Sequence, residues 1–235
     1  MCHNVPMAPK SRAENRAEQT HAILGRARAQ LAEVGPAALS VRQIARDVGL
    51  VSSAVYRYFP SRDELLTALI IEAYDELGDE VEQADAGVRR RSDLDKRFLA
   101  VCTAIRDWAR ANPHEYALLY GSPVPGYVAP QTTTTSAGRI TGAFLRLAQE
   151  SETAGDALGA PTSAVPPKEH KALGGVHPAL ETAVSDDRIV RWLMAWTTVF
   201  GHVSMELYGH MHRGILDYDT HFRQVTGQLV ADLGL

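Results

Sequence analysis

The chain has 235 residues, 45% hydrophobic and 22% charged, an ordinary balance for a globular fold of one or two domains. It contains no run of ~18 apolar residues that would span a membrane, no apolar leader core, and two cysteines, Cys2 and Cys102, too few for a disulfide scaffold; a reduced, cytoplasmic protein is expected. The net charge of −4 conceals a division, because residues 1–62 hold nine Lys/Arg against four Asp/Glu and the remainder fifteen against twenty-four, a basic head on an acidic body.

Residues 1–11 read as a disordered tail. A helix is expected from about Arg12 to Val34, with Ile23, Ala27, Leu31 and Val34 on its buried stripe and Gly35-Pro36 ending it. Ser40 and Gln43 have capping-box spacing, so a second helix starts at Val41, with Val41, Ile44, Ala45 and Val48 along one face. Gly49 marks the bend. Val55, Tyr56 and Phe59 then supply the inner face of a third helix, whose outer face carries Ser52, Ser53, Arg57 and Tyr58. Pro60 ends it, and Ser61 with Glu64 makes a second capping box. Two short helices across a tight turn are the layout of a helix-turn-helix, whose second helix lies in the DNA major groove. A domain over 12–61 is therefore expected to bind double-stranded DNA, and a connecting helix over 62–82, with Leu65, Leu66, Leu69, Ile70 and Ala73 inward, leads into a body over 83–235.

The body also reads as helical. Leu94, Phe98, Val101, Cys102, Ile105 and Trp108 keep a helical period up to Asn112-Pro113, and a short helix from His114 to Tyr120 closes at Gly121. Residues 122–135 form a Pro-, Gly- and Thr-rich loop, Ile140, Phe144 and Leu147 mark another helix, and 151–178 reads as a long mobile loop. Helices are expected again from Asp186 to Met211 and from Tyr218 to Leu233. No strand alternation appears, so the fold class is all-α: a three-helix DNA-binding head on a helical ligand-binding and dimerisation bundle.

From Arg12 to Ile70 the chain resembles the TetR-type, or tetracycline-repressor-like, bacterial transcription regulators, through the amphipathic first helix, SVRQIARDVGL and VYRYFPSRDELL. The body resembles a C-terminal subclass through Trp196, Gly201 and His202 and through the segment from Asn112 to Gly121. The resemblance implies an all-helical homodimer that represses transcription from operator DNA until a small-molecule effector binds the body. Val51 stands where many members carry a Ser or Thr cap, and Ser52 and Ser53 stand where many carry Lys and Gly.

Candidate DNA contacts follow. Ser40 and Arg42 open the first helix of the motif and suit a phosphate oxygen. Ser52, Ser53 and Ala54 suit base edges and a thymine methyl, Tyr56 a base or the backbone, and Arg57 a guanine or a phosphate. Tyr58 and Arg62 resemble family residues that bond phosphate. In the body, Trp108, Tyr116, Tyr120, Phe144, Trp192, Trp196 and Phe200 are candidates for an apolar effector cavity, against the plainer reading of aromatics as core. His202, Glu206 and His210 share a helical spacing of four that suits zinc, but without a matching motif packing is the preferred reading, and no metal or cofactor is assigned. Thr197, Gly201, Ser204 and Tyr208 form a narrow stripe suited to a dimer seam, joined by Phe222, Val225, Leu229 and Leu233. No G-x-S-x-G, P-loop or G-x-G-x-x-G is present, which argues against an enzyme. The alternative to a ligand-released repressor is a constitutive or architectural DNA-binding protein.

Overall fold

A computed structural model describes residues 11–155 and 165–235. Among them are ten α-helices and no strand: α1 Arg12–Val34, α2 Val41–Asp47, α3 Ser52–Val55, α4 Arg62–Gly87, α5 Leu94–Ala111, α6 Pro113–Tyr120, α7 Thr133–Ala154, α8 Pro167–Ala172, α9 Asp186–Leu207 and α10 Tyr218–Leu233. Residues 1–10 of the expected 1–11 tail lie outside the described residues, as does the 156–164 part of the expected loop, and Ser11 is the cap of α1. No described helix is long and apolar enough to cross a membrane. The chain divides into two compact units, one running to Ile70 and including Ser122–Ala129, the other comprising Ile71–Gly121 and Pro130–Leu235.

The first unit is built on α1. Ser11 opens it with a full capping box, its Oγ accepting from the Glu14 N–H at 3.2 Å while the Glu14 carboxylate accepts from the Ser11 N–H at 2.7 Å. Ile23, Leu24, Ala27 and Leu31 of α1 are buried with Ile44 and Ala45 of α2, Val55 of α3 and Leu65, Leu66 and Leu69 of α4. The 122–129 loop belongs to this unit, and the Tyr127 and Thr67 hydroxyls share a hydrogen bond of 2.9 Å.

The second unit has its core on α5. Phe98, Val101, Cys102, Ile105 and Ala109 are sealed from solvent together with Leu77 and Val81 of α4, Ile140, Phe144 and Leu147 of α7, and Trp192, Val199 and Val203 of α9. Burial pushes the Cys102 thiol pKa far up, so this cysteine is an inert apolar filler. The α4 stripe continues through Leu77 and Val81, which carries the helix to Gly87 rather than Glu82. Its acidic run is held together by Arg139, which donates to Asp79 at 2.5 Å, to Glu82 at 2.7 Å and to the Asp75 carbonyl at 3.1 Å. At the end of α6, a Cβ on Gly121 would stand 2.3 Å from the Ala117 carbonyl oxygen, so only glycine closes that turn.

The expected loop over 151–178 is corrected in its described part. The helix α7 runs to Ala154 and is stopped by Gly155 at φ +73°, while α8 and two single 3-10 turns, Leu173–Gly175 and His177–Ala179, occupy much of the remainder. A small separate core of Leu173, Val184 and Ile189 fixes this segment on the start of α9. At the other end, α9 stops at Leu207 rather than Met211.

Candidate nucleic-acid interface and body core

The helix-turn-helix forms where the sequence places it, with two local differences. Ser40 Oγ accepts from the Gln43 N–H at 3.4 Å, but the Gln43 side chain turns to Asp47 instead of closing the box. The Ser40 N–H is met from outside the motif, by the side-chain amide oxygen Oε1 of the buried Gln30 of α1 at 2.6 Å. Gly49 bends the chain at φ +72°, a region that favours glycine, and the Leu50 N–H returns to the Ala45 carbonyl at 2.8 Å.

The recognition element is shorter than its apolar spacing suggests. Regular helix covers Ser52–Val55, and Tyr56, Arg57 and Tyr58 continue as turns, with the Phe59 N–H bonded to the Val55 carbonyl at 3.0 Å. Pro60 disfavours helical geometry at Phe59, which ends the run. Val51 caps α3 with extended backbone and no side-chain bond, so neither Ser52 nor Ser53 takes over the cap. Val55 and Phe59 point into the unit, whereas Ser53, Tyr56 and Arg57 are exposed and Ser52, Ala54 and Tyr58 half-buried. Tyr56 is thus a surface group, 44% exposed, rather than part of the inner face. Arg42 is exposed beside the half-buried Ser40.

Two arginines define the edges of this surface. Arg16, which sequence spacing does not single out, lies over the Tyr58 ring at 5.1 Å from guanidinium carbon to centroid and donates to the Arg57 carbonyl at 3.4 Å. It adds positive charge over the Tyr58 ring. Arg62 donates to the carbonyls of Pro36 at 2.7 Å, Ala37 at 3.0 Å and Leu39 at 3.3 Å. Its guanidinium ties the start of α4 to the turn between α1 and α2.

In the body, the aromatic candidates fall into two packed groups. Phe144 and Trp192 meet Phe98 edge to face at centroid distances of 6.0 and 5.6 Å. Tyr116, Tyr120, Phe200 and Trp196 form a second run at 5.1, 4.5 and 5.2 Å between successive rings. The Tyr116 hydroxyl donates to the Phe200 carbonyl at 3.0 Å and lies 2.9 Å from Ser204 Oγ; burial pushes its pKa up to about 12. The Trp192 and Trp196 Nε1 atoms are buried without a hydrogen-bond partner among the described residues. Trp108 stands apart, on the wall of an open groove of about 610 Å³ between α4 and α5, lined also by Gln83, Ala84, Leu99, Thr103 and Asp107.

Buried arginines, which apolar spacing conceals, organise the polar interior of the body. Arg97 is almost fully buried and bonds Asp85 at 2.6 Å, the Arg91 carbonyl at 2.9 Å and Glu150. Arg106 forks onto Glu206 at 2.7 and 2.8 Å and reaches Asp219 at 2.7 Å. On the His202, Glu206, His210 face, Glu206 serves Arg106, and His210 lies in the exposed turn beyond α9. His202 is buried against His221 and Phe222, with ring centroids 5.3 and 5.1 Å away.

Burial, reinforced by the neighbouring His221, holds the His202 pKa below its ordinary value of 6.5, against the opposite pull of Glu206. The unfolded chain therefore binds a proton that the folded chain refuses. The stabilising contribution of neutral His202 is complete above about pH 6.5 and is lost as the pH falls through the depressed folded value. Urea midpoints measured from about pH 8 down to about 5 should fall at the acid end, and His202→Leu should flatten that acid limb. An unchanged limb would show that other groups set it.

The fold and surface together define a class, an all-helical DNA-binding protein with an N-terminal helix-turn-helix and a helical body. Residues 23–69 match the family model described as "Bacterial regulatory proteins, tetR family", and residues 98–229 match "Tetracyclin repressor-like, C-terminal domain". The chain belongs to the tetR family, and it is a DNA-binding transcriptional regulator; ligand control and dimerisation are typical of that family. It is 38% identical over 242 residues to the HTH-type transcriptional regulator Rv1816 of Mycobacterium tuberculosis, covering 99% of each chain. It is 30% identical to the nucleoid occlusion factor SlmA of Haemophilus influenzae over 89 residues, 38% of this chain and 39% of that protein. The crystal structure of a putative regulatory protein, SCO4313, superposes with a TM-score of 0.77 at 27% identity, covering 94% of this chain and 99% of that one.

Proposed function

We propose that the chain is a dimeric repressor that binds a palindromic operator and leaves it when a small apolar or aromatic effector enters the body. The observation that carries the reading is the surface of the first unit, where Ser53, Tyr56 and Arg57 stand free on the recognition element beside the exposed Arg42. Ser53, Arg57 and the half-buried Ser52 supply groups for base edges, and Ala54 a methyl for thymine. Ser40, Arg42, Tyr56 and Tyr58 supply phosphate contacts, and Arg16 strengthens the last of them. Arg62 acts as a positioning residue, through the carbonyls it holds.

Dimerisation is assigned to the outer face of α9. Met194, Thr198, Gly201, Met205 and Tyr208 recur at heptad spacing, and all five are exposed on the protomer. Phe222 and Leu233 of α10 are turned into the protomer's own core and Leu229 packs against it, so α10 offers Val225 to the seam instead. Trp196, Gly201 and His202, the residues of the subclass resemblance, then divide their work between the aromatic core, the seam and the α10 contact.

The effector is assigned to the second aromatic group. Trp196 of that group keeps its indole N–H unpaired in an apolar setting, at a typical cost of ~1–3 kcal/mol. A ligand with an acceptor beside an apolar or aromatic body would recover that cost. Titrating candidate compounds by tryptophan fluorescence, with and without operator DNA, tests this. Linkage requires the operator to weaken effector binding by the factor by which the effector weakens operator binding. Equal effector affinity in both cases contradicts release for that compound. Failure across a broad library favours constitutive DNA binding, a reading in keeping with the packed rings.

Arg57→Ala and Tyr58→Phe should separate the two kinds of DNA contact. Loss of a base-reading Arg57 should cost ~1–3 kcal/mol and relax preference at one position of the half-site. Tyr58→Phe should weaken all sequences nearly equally, because phosphate carries no sequence information. Binding selections on a randomised half-site distinguish them, and an unchanged preference profile for Arg57→Ala would move that residue to the backbone.

A further inference from the structure

His170 of α8, His177 of the following 3-10 turn and Asp186, the first residue of α9, are brought together by the segment that folds onto the small core of Leu173, Val184 and Ile189. His170 Nδ1 lies 3.0 Å from Asp186 Oδ2, and His177 Nε2 lies 3.2 Å from Asp186 Oδ1. One ligand atom from each of the three lies within 4.8 Å of the others. The two imidazoles are tilted by 40° with centroids 4.6 Å apart, so the rings converge on the carboxylate rather than stack flat.

We propose that these three side chains form a binding site for a divalent late first-row metal ion, with zinc the best fit. Two imidazole nitrogens and one carboxylate oxygen are an ordinary zinc donor set, and they leave further positions for water or a small ligand. Zinc–nitrogen and zinc–oxygen bonds of ~2.0–2.2 Å place neighbouring donors of a tetrahedral ion ~3.3–3.6 Å apart. The observed 3.0 and 3.2 Å separations to Asp186 need little adjustment to reach that spacing, and the two imidazole nitrogens, within 4.8 Å of each other, would close on the ion.

The competing explanation is a pair of histidines hydrogen-bonded to one carboxylate. It accounts for His170, whereas His177 Nε2, shielded from solvent and 3.2 Å from Asp186 Oδ1, lacks the geometry of a hydrogen bond to it. A lone pair on that nitrogen directed at a cation resolves the discrepancy. The open side is a groove of about 550 Å³ lined by Leu180, Glu181, Thr182 and Ser185 among others, which gives an ion and its water a route in. Bound metal would cross-link α8 and the His177 turn to the start of α9.

The test uses untagged full-length protein in which Cys2→Ser and His3→Ala remove potential ligands in the tail. Zinc is titrated by calorimetry against a chelator of known affinity, and cobalt(II) absorption reports the donor set. One equivalent per chain is expected, with visible cobalt bands and no thiolate charge-transfer band. Asp186→Asn and His177→Ala should each weaken zinc by at least ~100-fold, the upper end of what losing an outer-shell partner costs. His210→Ala should leave binding unchanged. Circular dichroism of the metal-free variants checks folding; should His177→Ala unfold, the near-isosteric Asp186→Asn decides. Absence of one-equivalent binding, or binding that survives Asp186→Asn, overturns the site.

Discussion

Phe98→Ala should destabilise the protein by ~3–5 kcal/mol, the range for emptying an aromatic position in a sealed core. Phe98 has no solvent exposure and packs edge to face on both Phe144 and Trp192. Truncation removes a ring from the centre of three helices, α5, α7 and α9, that cannot close on the space without moving one another. For a chain of this length each kcal/mol corresponds to roughly 2–4 °C in Tm. Phe98→Leu, which keeps most of the volume, should cost far less. Urea unfolding at fixed protein concentration makes the comparison, since dimerisation ties apparent stability to concentration. A loss below ~1 kcal/mol for Phe98→Ala would mean that this core is loosely packed, and would favour a pre-existing cavity at the rings.

Met205→Asp should abolish the dimer while leaving the protomer folded. Met205 is 47% exposed on the protomer, in line with Met194 at 61% and Tyr208 at 42%. A carboxylate there is hydrated when α9 is free, so the isolated chain tolerates it. In a two-fold seam each protomer buries the same charge, and an unpaired buried charge costs several kcal/mol. Gly201 sharpens the distinction, because a Cβ built there meets nothing within 4 Å in the protomer. Gly201→Leu should therefore spare the fold and weaken association by an overpacking cost of ~1–3 kcal/mol. Sedimentation at low micromolar concentration reads both variants. Chains that remain dimeric with Met205→Asp would place the seam elsewhere, the groove between α4 and α5 being the next candidate.

The helices were legible wherever one apolar stripe decides the matter. The stripe of Ile23, Ala27 and Leu31 gives α1, and the Asp217 cap, accepting from the Thr220 N–H at 2.9 Å, starts α10 where Tyr218 was expected to begin it. Sequence failed where a distant partner competes with a local one. Ser40 and Gln43 have the spacing of a reciprocal cap, yet Gln30, ten residues upstream, takes the Ser40 N–H. The spacing of Val55, Tyr56 and Phe59 promised a recognition helix reaching Pro60, whereas regular helix stops at Val55 and turns carry the chain on to Phe59. The lack of bulky residues in 151–178 hid α8, which stays in place through Leu173 and Val184 rather than through a stripe of its own.

The outward positions Ser53 and Arg57 were readable because a helix-turn-helix fixes which positions face outward, whereas Tyr56, read as inner face, is a surface group. Arg16 and Arg62 were not readable in the same way, since a guanidinium shows its partner only once the chain folds. The same holds for Arg97, Arg106 and Arg139 in the body. Six of the seven aromatic candidates are neighbours in two groups and Trp108 stands apart, but composition alone cannot tell a packed ring from a cavity wall. His202, Glu206 and His210 had the regular spacing, whereas His170, His177 and Asp186 have no shared period and meet only through the fold.

The central claim is sequence-specific recognition of a two-fold operator by a dimer. Selection of bound sequences from a random duplex library by the full-length protein, read alongside the mass of the selected complex, tests it most directly. An inverted repeat with half-site centres ~34–36 Å apart, or a multiple of that, should be enriched and held by two chains per site, with Arg57→Ala relaxing one position in each half. Enrichment of no sequence, or of a single half-site held by one chain, would contradict the account.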